Sequence, residues 1–189
     1  GPWPYDPAKA RALLKEAGYP NGFETTLWSA YNHTTAQKVI QFAQQQLAQV
    51  GIKAQIQALE AGQRVERVES AQDPATAPVR MYYTGWSSST GEADWALRPL
   101  LASESWPPKM YNMSYYKNEK VDANIAKALN TTDKAEKARL YTEAQELIWK
   151  DAPWVFLSTE RLISVRARNL SGFHVMPDGS YEFNELELK

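Results

Sequence analysis

Residues 82–101 have the sequence YYTGWSSSTGEADWALRPLL, and this stretch decides the class of fold. The β-branched and aromatic run at 79–84 predicts a strand. That strand ends at Gly85 and Trp86, and the apolar spacing after Gly91 predicts a helix. The loop between strand and helix carries small hydroxyl residues, free backbone amides and an indole face. A strand end of this kind suits the binding of a small polar ligand.

The chain before this stretch alternates helical and extended patterns. Apolar stripes at helical spacing predict helices over residues 7–17, 34–50 and 62–71. Extended or alternating runs predict strands over residues 23–28 and 52–59. The resulting order α-β-α-β-α-β, closed by the strand just described, predicts an α/β fold in which helices flank a sheet.

The second half of the chain has a different organisation. Residues 103–118 are rich in aromatic residues and proline, which predicts an irregular segment. Two helices are expected over 120–129 and 133–150, followed by two strands over 154–158 and 162–165.

Side chains at the predicted helix starts indicate how these helices are capped. We expect Asp6 to cap the first helix, Thr34 or Thr35 the second, and Asp133 the long helix near the C-terminus, because these side chains accept hydrogen bonds from unpaired amides. Gly18 is expected to end the first helix.

Composition excludes several classes of function. Among 189 residues, 21 basic and 22 acidic ones are well mixed and give a formal net charge of −1, so we expect no nucleic-acid partner. The absence of cysteine excludes disulfides and thiolate metal sites. The two histidines, His33 and His174, are too few for a zinc site without added carboxylates. We therefore expect neither a metal nor a cofactor.

The chain starts with GPWPYDP, without an initiator methionine or a signal peptide, and we expect it to be a piece of a longer protein. Its longest apolar runs, such as residues 154–157, are too short to span a bilayer.

Several spaced motifs resemble one known family. Residues 5–23, YDPAKARALLKEAGYPNGF, are similar to the element that opens the second lobe of extracytoplasmic solute-binding proteins of the peptide/nickel ABC-importer family. The helix end at 45–54, the Gly85-Trp86 strand end and the segment 112–122 fit the same pattern. This resemblance covers nearly the whole chain. It implies an α/β fold with a mixed sheet flanked by helices, as one lobe of a two-lobe type II periplasmic binding protein.

The resemblance also implies a function and partners. Residues 1–168 would form the C-terminal ligand-binding lobe, and the tail 169–189 would return to the N-terminal lobe. The whole protein would be periplasmic, bind a peptide-like solute without catalysis, and deliver it to a membrane permease. Residues 28–38 and 84–97 most resemble the glutathione-binding branch of the family.

Two departures from dipeptide-binding relatives bear on the ligand. The resemblance places Ser89 where those relatives carry an Asp for the peptide amine. It places Ser29 and Ala30 where they carry an Arg for the peptide carboxylate. Each missing charge-assisted contact is worth roughly 1.5–3 kcal/mol. Glutathione, or a closely related small peptide, is therefore the expected ligand, and a general dipeptide or oligopeptide receptor is the alternative.

The candidate ligand contacts lie at strand ends or in the loops that follow. They are Tyr31, Asn32, Arg64, Trp86, Ser87, Ser88, Ser89, Thr90 and Asp94. Trp86 could stack on the ligand or fill the core. The hydroxyl loop, residues 87–90, could donate hydrogen bonds to ligand carboxylates or be an ordinary solvated loop. Asp94 could bind an amine, although we favour helix capping.

The remaining candidates have equally ordinary alternatives. Tyr31 and Asn32 lie where helix amides could meet an anion, or they form a surface turn. Arg64 is the cation best placed for a carboxylate, although exposed helix arginines are common. The nearby aromatic residues are expected to serve the core and the surface of the lobe; they are Trp95, Trp106, Tyr111, Tyr115 and Tyr116.

Two other functions remain open at this point. Residues 85–89 resemble a nucleophile elbow, but Ser89 replaces its last glycine, which argues against a serine hydrolase. The helix over 133–150 could dock a partner protein if Leu140 and Ile148 were exposed. We expect a non-enzymatic binding protein.

Overall fold

A parallel sheet and a helical hairpin make up most of this computed structural model, which describes residues 3–70, 73–176 and 178–189. The elements of the first half are α1 (Pro7–Glu16), β1 (Phe23–Ser29), α2 (Thr34–Gln49), β2 (Ile52–Ala58), α3 (Ala61–Arg64) with a π-helical turn (Val65–Glu69), and β3 (Met81–Tyr83). Those of the second half are α4 (Ala93–Leu101), a 3-10 turn (Ser103–Ser105), α5 (Glu119–Leu129) and α6 (Lys134–Asp151). The tail contains β4 (Leu170–Ser171), β5 (His174–Val175), β6 (Tyr181–Glu182) and β7 (Glu187–Leu188).

The three main strands are parallel, in the order β2-β1-β3. Successive residues of β1 point to opposite faces. Leu27 packs with Ile40 of α2 on one face, whereas Trp28 packs with Val68 of the π-helical turn on the other. The connections from β1 and β2 therefore leave toward opposite faces of the sheet. This arrangement is the α/β organisation predicted from the alternating sequence pattern.

The helical hairpin of α5 and α6 forms the core of the second half. Ile125 of α5 and Ile148 of α6 are 2% exposed, and both pack against Leu101 at the end of α4. Fully burying a side chain of this size contributes about 1.5–3 kcal/mol. The cluster thus joins the helix after β3 to the hairpin.

Two helix starts follow the predicted caps, and two, those of α2 and α4, do not. Asp6 and Asp133 accept hydrogen bonds from the amides of their helices, as predicted, and Gly18 follows the end of α1 with φ +89°. The start of α2 was expected at Thr34 or Thr35, but His33 is its cap. The His33 Nδ1 accepts from the Ala36 amide at 3.3 Å. An imidazole nitrogen fills the role that a hydroxyl was expected to fill.

The strands expected over 154–158 and 162–165 are absent, and that prediction was wrong. A strand needs a hydrogen-bonding partner, and no other part of the described chain pairs with these segments. Val155, Ile163 and Val165 are consequently 83%, 84% and 94% exposed.

Antiparallel pairing occurs only in the described tail, as two separate ladders, β4 with β7 and β5 with β6. The helix expected over 62–71 becomes π-helical at Val65, and its last predicted residue, Ala71, lies outside the described residues. None of the helices in the described ranges is both long and apolar enough to cross a bilayer.

Gly22 enters β1 with φ +74°, and a Cβ there would overlap the Gly51 carbonyl group just before β2. We expect Gly22→Ala to lower the free energy of unfolding by roughly 2–5 kcal/mol, because backbone strain and the clash add. Gly18→Ala is the matched control, since Gly18 also has positive φ but its Cβ would meet no atom within 4 Å. The control should lose only roughly 1–2 kcal/mol. The free energies are measured by urea-induced unfolding. An equal loss in the two variants would contradict the close approach of Gly22 to Gly51.

Candidate functional site

The carboxyl ends of the three parallel strands meet at one edge of the sheet, hereafter the cleft edge. The chain leaves this edge after Ser29, Ala58 and Tyr83. Ligands of open α/β sheets bind outside the carboxyl ends of strands, where successive connections leave toward opposite faces. That condition is met here between β1 and β2. The loops that follow the three strands contain most of the predicted contact residues.

Ser29 ties these strand ends together. Its side chain is fully buried, and its Oγ donates to the Tyr31 carbonyl at 2.6 Å and accepts from the Tyr31 amide at 3.0 Å. The Leu59 amide donates to the Ser29 carbonyl, and the Ala30 amide donates to the Tyr83 carbonyl, both at 2.9 Å. Ser29 therefore shapes the turn and presents no side chain to the cleft edge.

Tyr31 joins two of the predicted loops. The Gly85 amide donates to the Tyr31 Oη at 3.1 Å, and the Tyr31 ring packs edge-on against Tyr83 with centroids 6.0 Å apart. A Cβ at Gly85 would lie 3.2 Å from that hydroxyl, so the small residue permits the approach. Asn32 is exposed beside it, and its carbonyl accepts from the Gln37 side chain at 2.8 Å.

Trp86 presents part of an aromatic surface at the cleft edge. Its Nε1 donates to the Trp95 carbonyl at 2.8 Å, and its ring lies 5.2 Å from that of Tyr111 between centroids. Trp86 and Tyr111 remain 37% and 39% exposed. A fixed, half-exposed pair of rings can stack on a ligand. Tyr111 was expected in the core or at the lobe surface, and no local pattern indicates its position beside Trp86.

Asn112 holds Tyr111 in this position and was also missed. Its amide side chain is fully buried. The Nδ2 donates to the carbonyls of Ala102 and Tyr116, both at 2.9 Å, and the Oδ1 accepts from the Ser114 hydroxyl and the Tyr116 amide. Because both its nitrogen and its oxygen are hydrogen-bonded, the Asn112 side chain fixes the conformation of this irregular segment. Hydrophobic periodicity does not predict such a contact.

The hydroxyl loop is partly ordered by its own side chains. Ser88 Oγ donates to the Glu92 carbonyl at 3.0 Å, and Thr90 Oγ1 accepts from the Glu92 amide at 3.2 Å. Ser87 Oγ donates to the carbonyl of Asp178 in the tail at 3.2 Å. Ser89 is exposed. The exposed hydroxyl of Ser89 and the loop amides are thus the groups best placed for a ligand.

Asp94 does not cap α4, so the capping role favoured from the sequence was wrong. Glu92 is the cap residue, because α4 begins at Ala93, two residues earlier than a cap at Asp94 would require. Asp94 instead accepts three hydrogen bonds from the Arg98 guanidinium, at 2.7–3.1 Å, one turn along the helix. These bonds raise the pKa of Arg98. Contact of Asp94 with a ligand amine stays a prediction.

Arg64 ends α3 at the cleft edge. Its Nε lies 2.9 Å from Glu69 Oε1, and its side chain is 39% exposed. Tyr82 of β3 is close enough for the Arg64 charge to lower its pKa, but burial outweighs this effect and raises the pKa of Tyr82 to about 12. No group of three or more metal-binding side chains occurs in the described part of the chain.

We expect Tyr31→Phe to loosen the loop after β3, because the Gly85 amide loses its acceptor. The hydrogen bond is worth about 0.5–1.5 kcal/mol, so exchange of the Gly85 amide proton with solvent should accelerate when followed by NMR. Tyr19→Phe is the control, since Tyr19 packs on Phe23 at the amino end of β1. Unchanged protection of Gly85 in Tyr31→Phe would contradict the contact.

Known proteins resemble this chain in sequence and in structure. The sequence model of the family described as bacterial extracellular solute-binding proteins, family 5 Middle, matches residues 1–108. The glutathione-binding protein GsiB of Pectobacterium atrosepticum is 62% identical over 187 residues, which are 99% of this chain and 36% of that protein. GsiB of Escherichia coli K12 is 60% identical over 188 residues, again covering 36% of its length.

Among solved structures, the ABC transporter-associated periplasmic binding protein DppA from Helicobacter pylori, in complex with the peptide STSA, has a TM-score of 0.69 at 35% identity. The match covers 82% of this chain and 29% of that one. The chain therefore spans little more than a third of the length of its curated relatives.

These matches confirm the predicted α/β fold of one lobe of a type II periplasmic binding protein. The relatives are solute-binding proteins rather than enzymes. The family match covers more than half of the chain and includes all three strands that form the cleft edge. The chain belongs to the bacterial extracellular solute-binding proteins of family 5.

Proposed function

We propose that this chain is the C-terminal lobe of an ABC-importer receptor that binds glutathione, or a closely related small peptide, between two lobes. The observation that carries the proposal is the 60–62% identity to glutathione-binding proteins over essentially the whole chain. The matched regions cover 99% and 100% of the chain and so include the loops of the cleft edge. Those loops offer backbone amides, small hydroxyls and an aromatic surface, which suit a polar peptide-like ligand.

The chemistry of the cleft edge supports glutathione over an ordinary dipeptide. Ser29 is buried and engaged in the turn, so it leaves no room for the charged anchor expected in dipeptide receptors. Ser89 is exposed but uncharged. The γ-linked glutamyl head of glutathione carries its amine and carboxylate on one carbon, and therefore needs a different set of partners. A general peptide receptor remains the alternative.

The rest of the protein supplies the other wall of the cleft. The exposed apolar segment at 154–165 pairs with no described strand, which supports pairing with the N-terminal lobe. We place residues 1–168 in this lobe and propose that the tail 169–189 returns to the other. The tail passes the cleft edge, where the Asp178 carbonyl accepts from Ser87.

The whole receptor would work in the periplasm, closing on its ligand and delivering it to a membrane permease without catalysis. A serine hydrolase would need a histidine base hydrogen-bonded to its serine. Among the described residues, neither His33, which caps α2, nor His174 makes a hydrogen bond to Ser87, Ser88 or Ser89. The alternative that the helix over 133–150 docks a partner protein is not supported, because Leu140 and Ile148 of α6 are buried.

The decisive variant is Ser89→Asp in the two-lobe protein, with binding of glutathione and Ala-Ala measured by calorimetry. The unmodified protein should bind glutathione and give no signal with Ala-Ala. The new carboxylate should improve dipeptide binding by roughly 10- to 100-fold, the equivalent of one charge-assisted hydrogen bond. It should weaken glutathione binding, because glutathione is anionic.

Ser89→Asn is the control, because Asn has the same shape as Asp but no charge. This variant should leave the dipeptide unbound. Tight Ala-Ala binding by the unmodified protein would instead identify a general peptide receptor. Equal affinities of the Asp and Asn variants for glutathione and for Ala-Ala would show that Ser89 does not contact the ligand.

A further inference from the structure

Arg64 forms an ion pair with Glu69 through its Nε atom. Its Nε is buried and lies 2.9 Å from Glu69 Oε1, at an angle that is poor for a hydrogen bond. The side chain as a whole nevertheless remains 39% exposed. An arginine whose Nε faces a carboxylate can still offer both terminal amino groups to a second carboxylate in a fork geometry.

Tyr82 lines the buried side of this arginine without neutralising it. The Tyr82 hydroxyl is buried, and among residues 3–70, 73–176 and 178–189 no partner reaches it with good hydrogen-bond geometry, although Thr84 is nearby. Burial raises the pKa of Tyr82 to about 12, so the phenol is uncharged at neutral pH. Glu69 is therefore the acidic side chain in contact with Arg64.

The location of Arg64 separates it from its neighbour Arg67. Arg64 follows β2 at the cleft edge, whereas the Arg67 guanidinium stacks over Trp28 in the core, 5.9 Å from its ring centroid. β1 ends at Ser29, and the turn that follows, residues 30–33, contains no lysine or arginine. Arg64 thus supplies positive charge to an edge that otherwise presents hydroxyls and amides.

We propose that the terminal amino groups of Arg64 bind a carboxylate of the ligand, and that Glu69 is a positioning residue that orients the guanidinium through Nε. This inference rests on the proposed function and assigns one part of that ligand to one side chain. Arg64 supplies, from the end of α3, the carboxylate contact that the turn after β1 does not make.

The test compares three ligands on each variant of the two-lobe protein. They are glutathione, its glycyl ethyl ester, and 4-aminobutyryl-Cys-Gly, which lacks the glutamyl α-carboxylate. The unmodified protein should prefer glutathione to one of the two analogues by roughly 10- to 100-fold. In Arg64→Gln that preference should disappear, because the group that detects the carboxylate is gone. A ratio of affinities on one protein is independent of any fraction that fails to fold.

Two further variants separate contact from general charge and from positioning. Arg67→Gln removes the same charge from the same helical segment and should keep the full preference. Glu69→Gln should keep binding of the disfavoured analogue but reduce the preference, because the guanidinium is no longer oriented. A purely structural role of Glu69 would weaken all three ligands equally.

The outcomes also distinguish this inference from the proposed function. Suppose that the unmodified protein binds glutathione and that Arg64→Gln keeps its preference for glutathione over each of the two analogues. The Arg64 subsite is then wrong, and the proposed function stands. Loss of the preference to the same extent in Arg67→Gln would equally overturn the subsite. Absence of glutathione binding by the unmodified protein would overturn the proposed function and the inference with it.

Discussion

The central position of β1 is the constraint on which the rest of the site depends. This strand is hydrogen-bonded to β2 along its whole length and to β3 at its carboxyl end, both in parallel register. At that end, the buried Ser29 carbonyl and the Ala30 amide join the two neighbouring strand ends. The cleft edge is therefore one rigid unit, and its loops start from fixed points. A binding surface built on such elements loses little conformational freedom when a ligand arrives.

Much of this architecture could be predicted because local patterns determine it. Alternating helical and extended periodicity gave the strands and their flanking helices, and carboxylates gave the caps at Asp6 and Asp133. The loop after Gly85 was recognisable as a loop because small hydroxyl residues and Gly91 separate the strand pattern from the helix pattern. These features involve residues close together in sequence, where propensity and hydrogen bonding act directly.

The parts that could not be predicted depend on contacts between distant residues. Nothing local indicates that Gly85 donates to Tyr31, 54 residues away, or that a buried Asn112 brings Tyr111 to Trp86. Asp94 was misassigned for a related reason, since a carboxylate near a helix start can cap or pair, and Arg98 decides between them. The strands expected at 154–158 and 162–165 are absent because strand formation depends on a partner.

The most direct measurement is a crystal structure of the two-lobe protein with glutathione bound. The account predicts glutathione at the cleft edge, with the Trp86 ring against it and amides or hydroxyls of residues 87–90 within hydrogen-bonding distance. Glutathione bound away from this edge, for example in the groove between α5 and α6 beside Asn124 and Leu147, would contradict the account.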